Sequence, residues 1–377
     1  MAAKALDDLA REHADFYVPT FTVTVGERDV VRDLFLTVSN VQLDLKERTP
    51  GQFSFTVANA FDLERREFEA MRGDRPIDLF ELFAFGSPVR VRLGYGSGPA
   101  VELAGLVTEL STSFSSGGTP ELTIKGFDAL YPLTIGKSTR NWEGRRDSDA
   151  VTDVARGRGV TADPERTEPV LPRIDQSQQT DMAFLELLAE RNQATFYMRG
   201  DQLYFGRRHS QDSAVVSLSW GFGLVSFAPE ANLARQVTEV QVHGRSATEG
   251  KEIVGTAKRG DETGRDTRGE SGSERVVHAL SSSPILSVRA PVHTQAEADE
   301  RAKAILDERA QDFVTGSGEC IGLPEIVPDV NIELGGMGRG FSKTYWVSEA
   351  THKLDGGGYS TTFKVQETTV KVQETTV

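Results

Sequence analysis

The sequence carries one cysteine, Cys320, among 377 residues. No intrachain disulfide can form, and the chain needs no oxidising compartment to mature. Its six histidines, His13, His209, His243, His278, His293 and His352, lie far apart. No i,i+4 pair puts two imidazoles on one helix face, so no zinc or other metal site is expected. No stretch approaches the roughly 18 apolar residues that a membrane-spanning helix needs. Positive charge is scarce as well: 42 Lys and Arg against 56 Asp and Glu leave a net charge of −14. That balance argues against a nucleic-acid partner, which would demand clustered cations along the phosphates. It also disfavours docking on an anionic membrane leaflet. Residues Met1 to Tyr17 read as a short amphipathic helical arm bearing Asp7, Asp8, Glu12 and Asp15. The arm has no apolar core behind basic residues, so no signal peptide and a cytoplasmic origin are expected.

What the chain has in excess is glycine, 36 residues spread as turn punctuation without a collagen-like period. Between them lie short alternating or apolar runs: Thr20–Val25, Phe35–Leu45, Gln52–Ala58, Val89–Leu93, Val101–Leu110 and Leu122–Lys125. These read as strands, with helical interruptions around Leu63–Met71 and Ile77–Phe85. Residues 136–228 differ. Ser148–Arg156 and Asp181–Arg191 have helical spacing, and Ala194–Met198 with Gln202–Arg207 form a hairpin closed at Arg199-Gly200-Asp201. Glu249–Glu274 holds almost nothing to bury and reads as a mobile loop. Thr294-Gln-Ala-Glu297 is a capping box opening a helix to about Phe313.

The expected fold is therefore mainly β with an α+β insert. Its parts are an arm (1–17), a first β-barrel (18–135), the insert (136–228) and a second β-barrel (229–365) with one helix and the loop 249–274. A tail (366–377) follows. There the heptapeptide Lys364–Val370 recurs at once as Lys371–Val377, which reads as an artefact of duplication.

A longer repeat supports two barrels in one chain. Val89-Arg-Val91-Arg-Leu93-Gly94 matches Val330-Asn-Ile332-Glu-Leu334-Gly335. Val107-Thr108-Glu109 then answers Val347-Ser348-Glu349, about 240 residues on. Gly117-Gly118 answers Gly357-Gly358, and Leu122–Ile124 answers Thr362–Val365. Agreement in apolar phase and in turn position predicts the same small sheet built twice.

Motifs that resemble catalytic or nucleotide-binding signatures fail on their surroundings. Gly136-Lys137-Ser138 ends like a phosphate loop, but Tyr131 stands where the first glycine belongs and Pro132 removes an amide. The run Gly335, Gly336, Gly338, Gly340 mimics a dinucleotide fingerprint yet leads into a strand-like segment, with no helix N-terminus for a pyrophosphate. It reads as a flexible hairpin loop, and these four glycines are instead candidate assembly contacts. Arg199-Gly200-Asp201 is turn chemistry. Cys320 sits among Gly316, Gly318 and Gly322 without a nearby base, and His352 lies mid-strand as a packed histidine. No catalytic residue and no cofactor are expected.

Two stretches resemble a known family. One is Gln176–Phe205, with Gln178, Thr180-Asp181, Phe184-Leu185, Leu188-Ala189 and Leu203-Tyr-Phe205. The other runs from Ala302 to Val365 with Gly316-Ser-Gly318, Gly322-Leu-Pro324, Pro328, Phe341-Ser342, Tyr345-Trp-Val347, His352 and Gly358-Tyr359. Their order is similar to that of the late-control D proteins of contractile phage tails, whose fold also forms the hub part of type VI secretion spike proteins. The resemblance implies a homotrimer in which each chain gives two small barrels, six in all, joining a sixfold tail tube to a threefold spike. Its partners would be the tube protein, the spike protein and other baseplate components. Two other readings stay open: a tail-associated cell-wall hydrolase, which needs a carboxylate pair in a cleft, and a β-rich tail adhesion or carbohydrate-binding protein.

Overall fold

Alternation decides the first half of the chain. In the strand Leu122–Asp128, Leu122, Ile124, Gly126 and Asp128 are buried while Thr123, Lys125 and Phe127 are half-buried, the period of two of a strand covered on one face. The computed structural model describes residues 3–72, 75–96, 98–245, 250–262, 269–290, 292 and 294–371. Strands make up 48% of the structure and helices 20%.

Six strands build the first barrel: β1 (Pro19–Val25), β2 (Thr37–Lys46), β3 (Gln52–Ala58), β4 (Pro88–Tyr95), β5 (Ala100–Thr112) and β6 (Leu122–Asp128). They pair in the order β1-β4-β5-β6-β3-β2 around Val23, Leu43, Phe53, Phe55, Val91 and Ile124. The insert follows. Its strands are β7 (Ser138–Arg145), β8 (Leu171–Gln179), β9 (Ala194–Arg199) and β10 (Gln202–Arg207), with helices α1 (Asp147–Gly157) and α2 (Asp181–Arg191). Thr180 Oγ1 caps α2 by accepting from the Ala183 N–H, and the helix buries Phe184, Leu185 and Leu188 in a separate core with Phe196 and Phe205.

The second barrel is assembled from β11 (Val216–Trp220), β12 (Gly223–Ala231), β16 (Val314–Ile321), β17 (Asn331–Gly335), β18 (Lys343–Asp355) and β19 (Gly358–Glu367). Its order is β11-β17-β18-β19-β16-β12, and β12 returns to β11, so the ring of six is closed. Between β12 and β16 lie β13 (Glu239–Arg245), β14 (Glu252–Lys258) and β15 (Ile285–Arg289), a small sheet covered by α3 (Gln295–Gln311).

Substituting β11, β12, β16, β17, β18 and β19 for β1 to β6 in turn reproduces the strand order of the first barrel. The two six-stranded sheets are thus related copies, of which the second is closed. Each carries a bulge at the matching place, between Val107 and Glu109 in β5 and between Val347 and Glu349 in β18. Each bulge is followed by a cross-strand ion pair, Glu109–Lys125 at 2.9 Å and Glu349–Lys364 at 2.7 Å. The copies differ in two respects: β4 runs antiparallel to β1, whereas β17 runs parallel to β11, and β1 and β2 do not pair. Instead β2 passes to the second barrel and pairs with β18, Glu349 opposite Lys46 through Leu354 opposite Val41.

The structure corrects four details of the sequence reading. Anchored on the bulges, Val89 lies opposite Gly105 and Ile332 opposite Tyr345, so Val89 corresponds to Ile332 and not Val330. The two-residue shift keeps every side chain on its own face, which is why the apolar phase did not expose it. Residues 63–66 are turns and Glu69–Arg72 a strand, so helix around there is confined to Leu79–Leu82. The glycine run contains a single helical turn, Gly338–Phe341, in place of an open hairpin loop. Within the expected mobile loop, Glu252–Lys258 is an ordered strand paired along its whole length with β13; residues 246–249 and 263–268 lie outside the described residues, as do 372–377.

What holds that strand is packing at Gly255, where a Cβ would stand 2.0 Å from the Ala298 carbonyl carbon of α3. Only hydrogen lets helix and strand approach so closely. Gly255→Ala should therefore displace α3 and destabilise the protein by about 2–3 kcal/mol, measured as a lowered urea midpoint with an unchanged slope.

Candidate functional site

The loop before β17 places Asp329 in the left-handed region, at φ 67°. Its buried carboxylate collects four donors: the Trp346 indole N–H at 3.0 Å, the His209 backbone N–H at 2.8 Å, His209 Nδ1 at 2.6 Å and the Tyr197 hydroxyl at 3.1 Å. Those donors come from β18, the segment after β10, and β9. One side chain therefore ties the β9–β10 hairpin and the segment that follows it to the second barrel. Around it Arg199 donates to the Tyr197 hydroxyl at 2.8 Å and lies 4.4 Å over the Tyr204 ring. Arg208 stacks 4.8 Å over Trp346 and pairs with Glu47 of the β2–β3 turn at 2.6 Å. Burial, reinforced by Asp329, pushes the Tyr197 phenol up to about 12, so it stays a neutral donor.

This junction borders a cleft of about 530 Å³ lined by Lys46, Asp128, Tyr197, Arg199, His209 and Asp329 among others. Burial pushes the Asp128 carboxyl up to about 7, against the opposing pull of the Leu130 and Gly51 N–H groups that donate to it. A histidine oriented by a carboxylate is half of a general-base arrangement. Among the described residues no serine, threonine or cysteine side chain hydrogen-bonds to His209, and the nucleophile half is not assembled there. What the arrangement does with four donors on one buried carboxylate is fix the angle between insert and barrel.

The residues singled out by sequence are scattered over the fold. Cys320 is fully buried in β16, its thiol pushed up by burial. His352 is fully buried in β18; Nε2 donates to the Ile326 carbonyl at 2.9 Å, and Nδ1 faces the Tyr359 hydroxyl at 2.9 Å. Gly136 sits at φ 76° in the turn entering β7. Gly200 turns the β9–β10 hairpin at φ 60°, and Asp201 beside it pairs with Arg90 of β4 at 3.0 Å. In the insert, burial would raise the Asp181 carboxyl, but Gln176 and Arg158 donate to it and hold it below the usual range. Gly335 and Gly336 pack on Ser219 and Trp220, while Gly338 and Gly340 face open space. His293 lies outside the described residues. Glu12, His13 and Glu325 bring ligand atoms within 4.8 Å of one another, a grouping the histidine spacing could not show. There the Lys4 ammonium already contacts Glu12 at 2.6 Å.

Asp329, His209 and Asp128 escaped the sequence reading. For Asp128 a signal existed, since it occupies an inward phase of an otherwise apolar strand. Asp329 and His209 come together across 120 residues, and no local pattern announces that.

Solved structures share the fold across nearly the whole chain. A tail protein from Neisseria meningitidis matches with a TM-score of 0.68 at 15% identity, covering 93% of this chain and 97% of its own. A 43 kDa tail protein of prophage MuSo2 from Shewanella oneidensis matches with a TM-score of 0.69 at 12% identity, over 92% of this chain and 98% of its own. The c3393 protein of Escherichia coli, a component of the type VI secretion system, matches with a TM-score of 0.54 at 11% identity, over 93% and 77%. No curated protein matches the sequence. The family model that does match is described as an Alg8 N-terminal domain, a different name from the late-control D family whose motifs the sequence resembles. That model spans residues 67–356, well over half of the chain, and the protein belongs to the Alg8 N-terminal domain family.

Proposed function

We propose that this protein is the structural baseplate hub of a phage tail-like contractile injection system. Three copies form a ring whose six barrels adapt a sixfold tail tube to a threefold spike. The observation that carries the reading is the pair of barrels with one strand order, joined edge to edge through β2 and β18. A chain built so presents two similar faces to each neighbour, and three such chains give six near-equivalent positions from one gene product. The similar folds of tail and type VI proteins support the same reading. Self-association, tube protein, spike protein and other baseplate components are its partners, and the role is mechanical, without cofactor or catalysis. It is made in the cytoplasm and assembled into the particle. In this reading the two barrels form the ring, and the second takes in β11 and β12 (216–231), so the expected boundary at 228/229 moves back to the start of β11. The insert from β7 to β10 projects from the ring, with Gly335, Gly336, Gly338 and Gly340 near ring contacts.

An obligate ring interface buries about 2,000 Å² or more, so the trimer should persist on dilution. Size-exclusion chromatography with light scattering is expected to give three times the 41.2 kDa chain mass. A well-folded monomer at micromolar concentration that does not join tube protein would overturn the proposal.

A further inference from the structure

The internal symmetry of the chain leaves two strand edges without the partner that their counterparts have. In the second barrel, β18 from Glu349 to Leu354 is paired on both sides, by β19 and by β2. Its counterpart in the first barrel is β5 and its extension, Glu109 to Phe114. From Glu109 to Thr112 that segment pairs with β6 on one side only, and Ser113 and Phe114 continue beyond the ladder; among the described residues β4 reaches β5 no further than Leu106. The counterpart of β2 is β12. It pairs with β16 along its length, and with β11 only as far as Leu224, which leaves its other edge open from Val225 to Ala231. The chain thus contains one β2–β18 seam, and the two pieces of a second such seam lie apart on its surface.

We propose that the open edge of β5 receives β12 from a second copy of this chain, antiparallel, with Ser111 opposite Glu230. The inference rests on the ring reading above and names the contact that builds the ring. Its register comes from ladders within one chain. Lys125 and Lys364 lie opposite Ser54 and Ser317; two residues back, Gln52 and Thr315 lie opposite Asp44 and Glu230. Asp44 thus corresponds to Glu230, and Leu45 to Ala231. In the internal seam Asp44 faces Thr351 and Leu45 faces Ala350, which correspond to Ser111 and Leu110.

The chemistry at those positions is complementary. The Thr351 hydroxyl donates to Asp44 Oδ1 at 2.6 Å, and Ser111 with Glu230 offers the same hydroxyl and carboxylate. Ala350 accommodates Leu45; across copies the sizes exchange, and Leu110 meets Ala231. Phe114, 66% exposed and at the position of Leu354, gains cover. Pro229 stands where Leu43 stands. A proline inside the β12–β16 ladder turns its nitrogen away from β16, so it removes one donor from the open edge. That missing bond hinders pairing of β12 with arbitrary strands, while Phe227 and Ala231 keep outward N–H and C=O groups for the specified one. The contact is heterologous, edge of one barrel to opposite edge of the other, and so generates a ring when its rotation closes.

Cysteine cross-linking tests the seam in the full chain, whose native Cys320 is buried. Ser111→Cys combined with Glu230→Cys, oxidised with copper phenanthroline, should give disulfide-linked oligomers in at least tenfold excess over either single variant. The pair Ser113→Cys with Glu230→Cys, two residues out of register, should link poorly. Light scattering on the reduced double variant separates the two levels of the argument. An oligomer that fails to link at 111–230, or links as well at 113–230, overturns this seam and leaves the ring standing. A chain that stays monomeric overturns both.

Discussion

Asp329→Ala is expected to lower the unfolding free energy by about 3–5 kcal/mol, the range for stripping a buried charge-assisted network of its acceptor. The Trp346 indole, the His209 backbone amide and the Tyr197 hydroxyl would each lose the oxygen they donate to. Each orphaned donor costs about 1–3 kcal/mol when water cannot reach it. The loss should be visible in chemical denaturation followed by tryptophan fluorescence, because Trp346 is itself a donor. Asp329→Asn keeps one acceptor oxygen and should lose less. An alanine variant within 1 kcal/mol of wild type would mean that water replaces the carboxylate, and that the junction is looser than its distances imply.

The second large effect concerns pH, and it comes from two groups that pull in opposite directions. Burial depresses the His352 imidazole to about 4, although its bond to the Ile326 carbonyl acts the other way. The unfolded chain therefore takes up the proton at about 6.5, where the folded one refuses it. Stability from His352 is present above about 6.5 and is lost as pH falls toward 4, by about 3 kcal/mol. Asp128 behaves inversely. Its folded carboxyl holds the proton up to about 7, whereas the unfolded one releases it near 3.8. Its contribution is therefore greatest in acid and falls as pH rises from about 4 to 7, by about 4 kcal/mol. The two slopes nearly cancel in the wild type. His352→Gln should unmask the Asp128 slope, with stability falling as pH rises. Asp128→Asn should unmask the other, with stability falling in acid. Urea midpoints of the three proteins at pH 4, 5.5 and 7 decide the matter, and parallel profiles would refute both assignments.

Much of the architecture was legible in the sequence because it rests on local signals. The period of two in Leu122–Asp128, the spacing of Phe184, Leu185 and Leu188, and the capping threonine at 294 each act within a few residues. The duplication was legible for the same reason, since a bulge and its ion pair leave the short words Val107-Thr-Glu and Val347-Ser-Glu. Hidden were the features made by distance. Glu252–Lys258 looked too polar to pack because its inward residues are Ile253, Gly255 and Ala257, and glycine counts as a burial signal only once the helix against it is known. The Asp329 network joins residues 197, 209, 329 and 346, and its members look like ordinary polar residues until the insert folds back. Closure also depends on tertiary context. Nothing local distinguishes β11 and β12, which pair with each other, from β1 and β2, which do not.

The crossing of β2 to β18 bears on the order in which the molecule can be made. Residues 41–46 cannot find their partners at 349–354 until about 300 further residues have left the ribosome, which takes on the order of 15–60 s at usual elongation rates. Through that interval the first barrel exists with one face of β2 unpaired and its apolar residues close by, a sticky nascent state that the late strand quenches. The most non-local ladder among the described residues is therefore also one of the last that can form, with the pairings of β19 needing residues still further on, and slow closure of this kind lengthens folding time. Premature termination anywhere upstream of β18 would leave the nascent chain holding an open sheet edge, a fate that ends in aggregation or recapture by chaperones rather than in a smaller working domain.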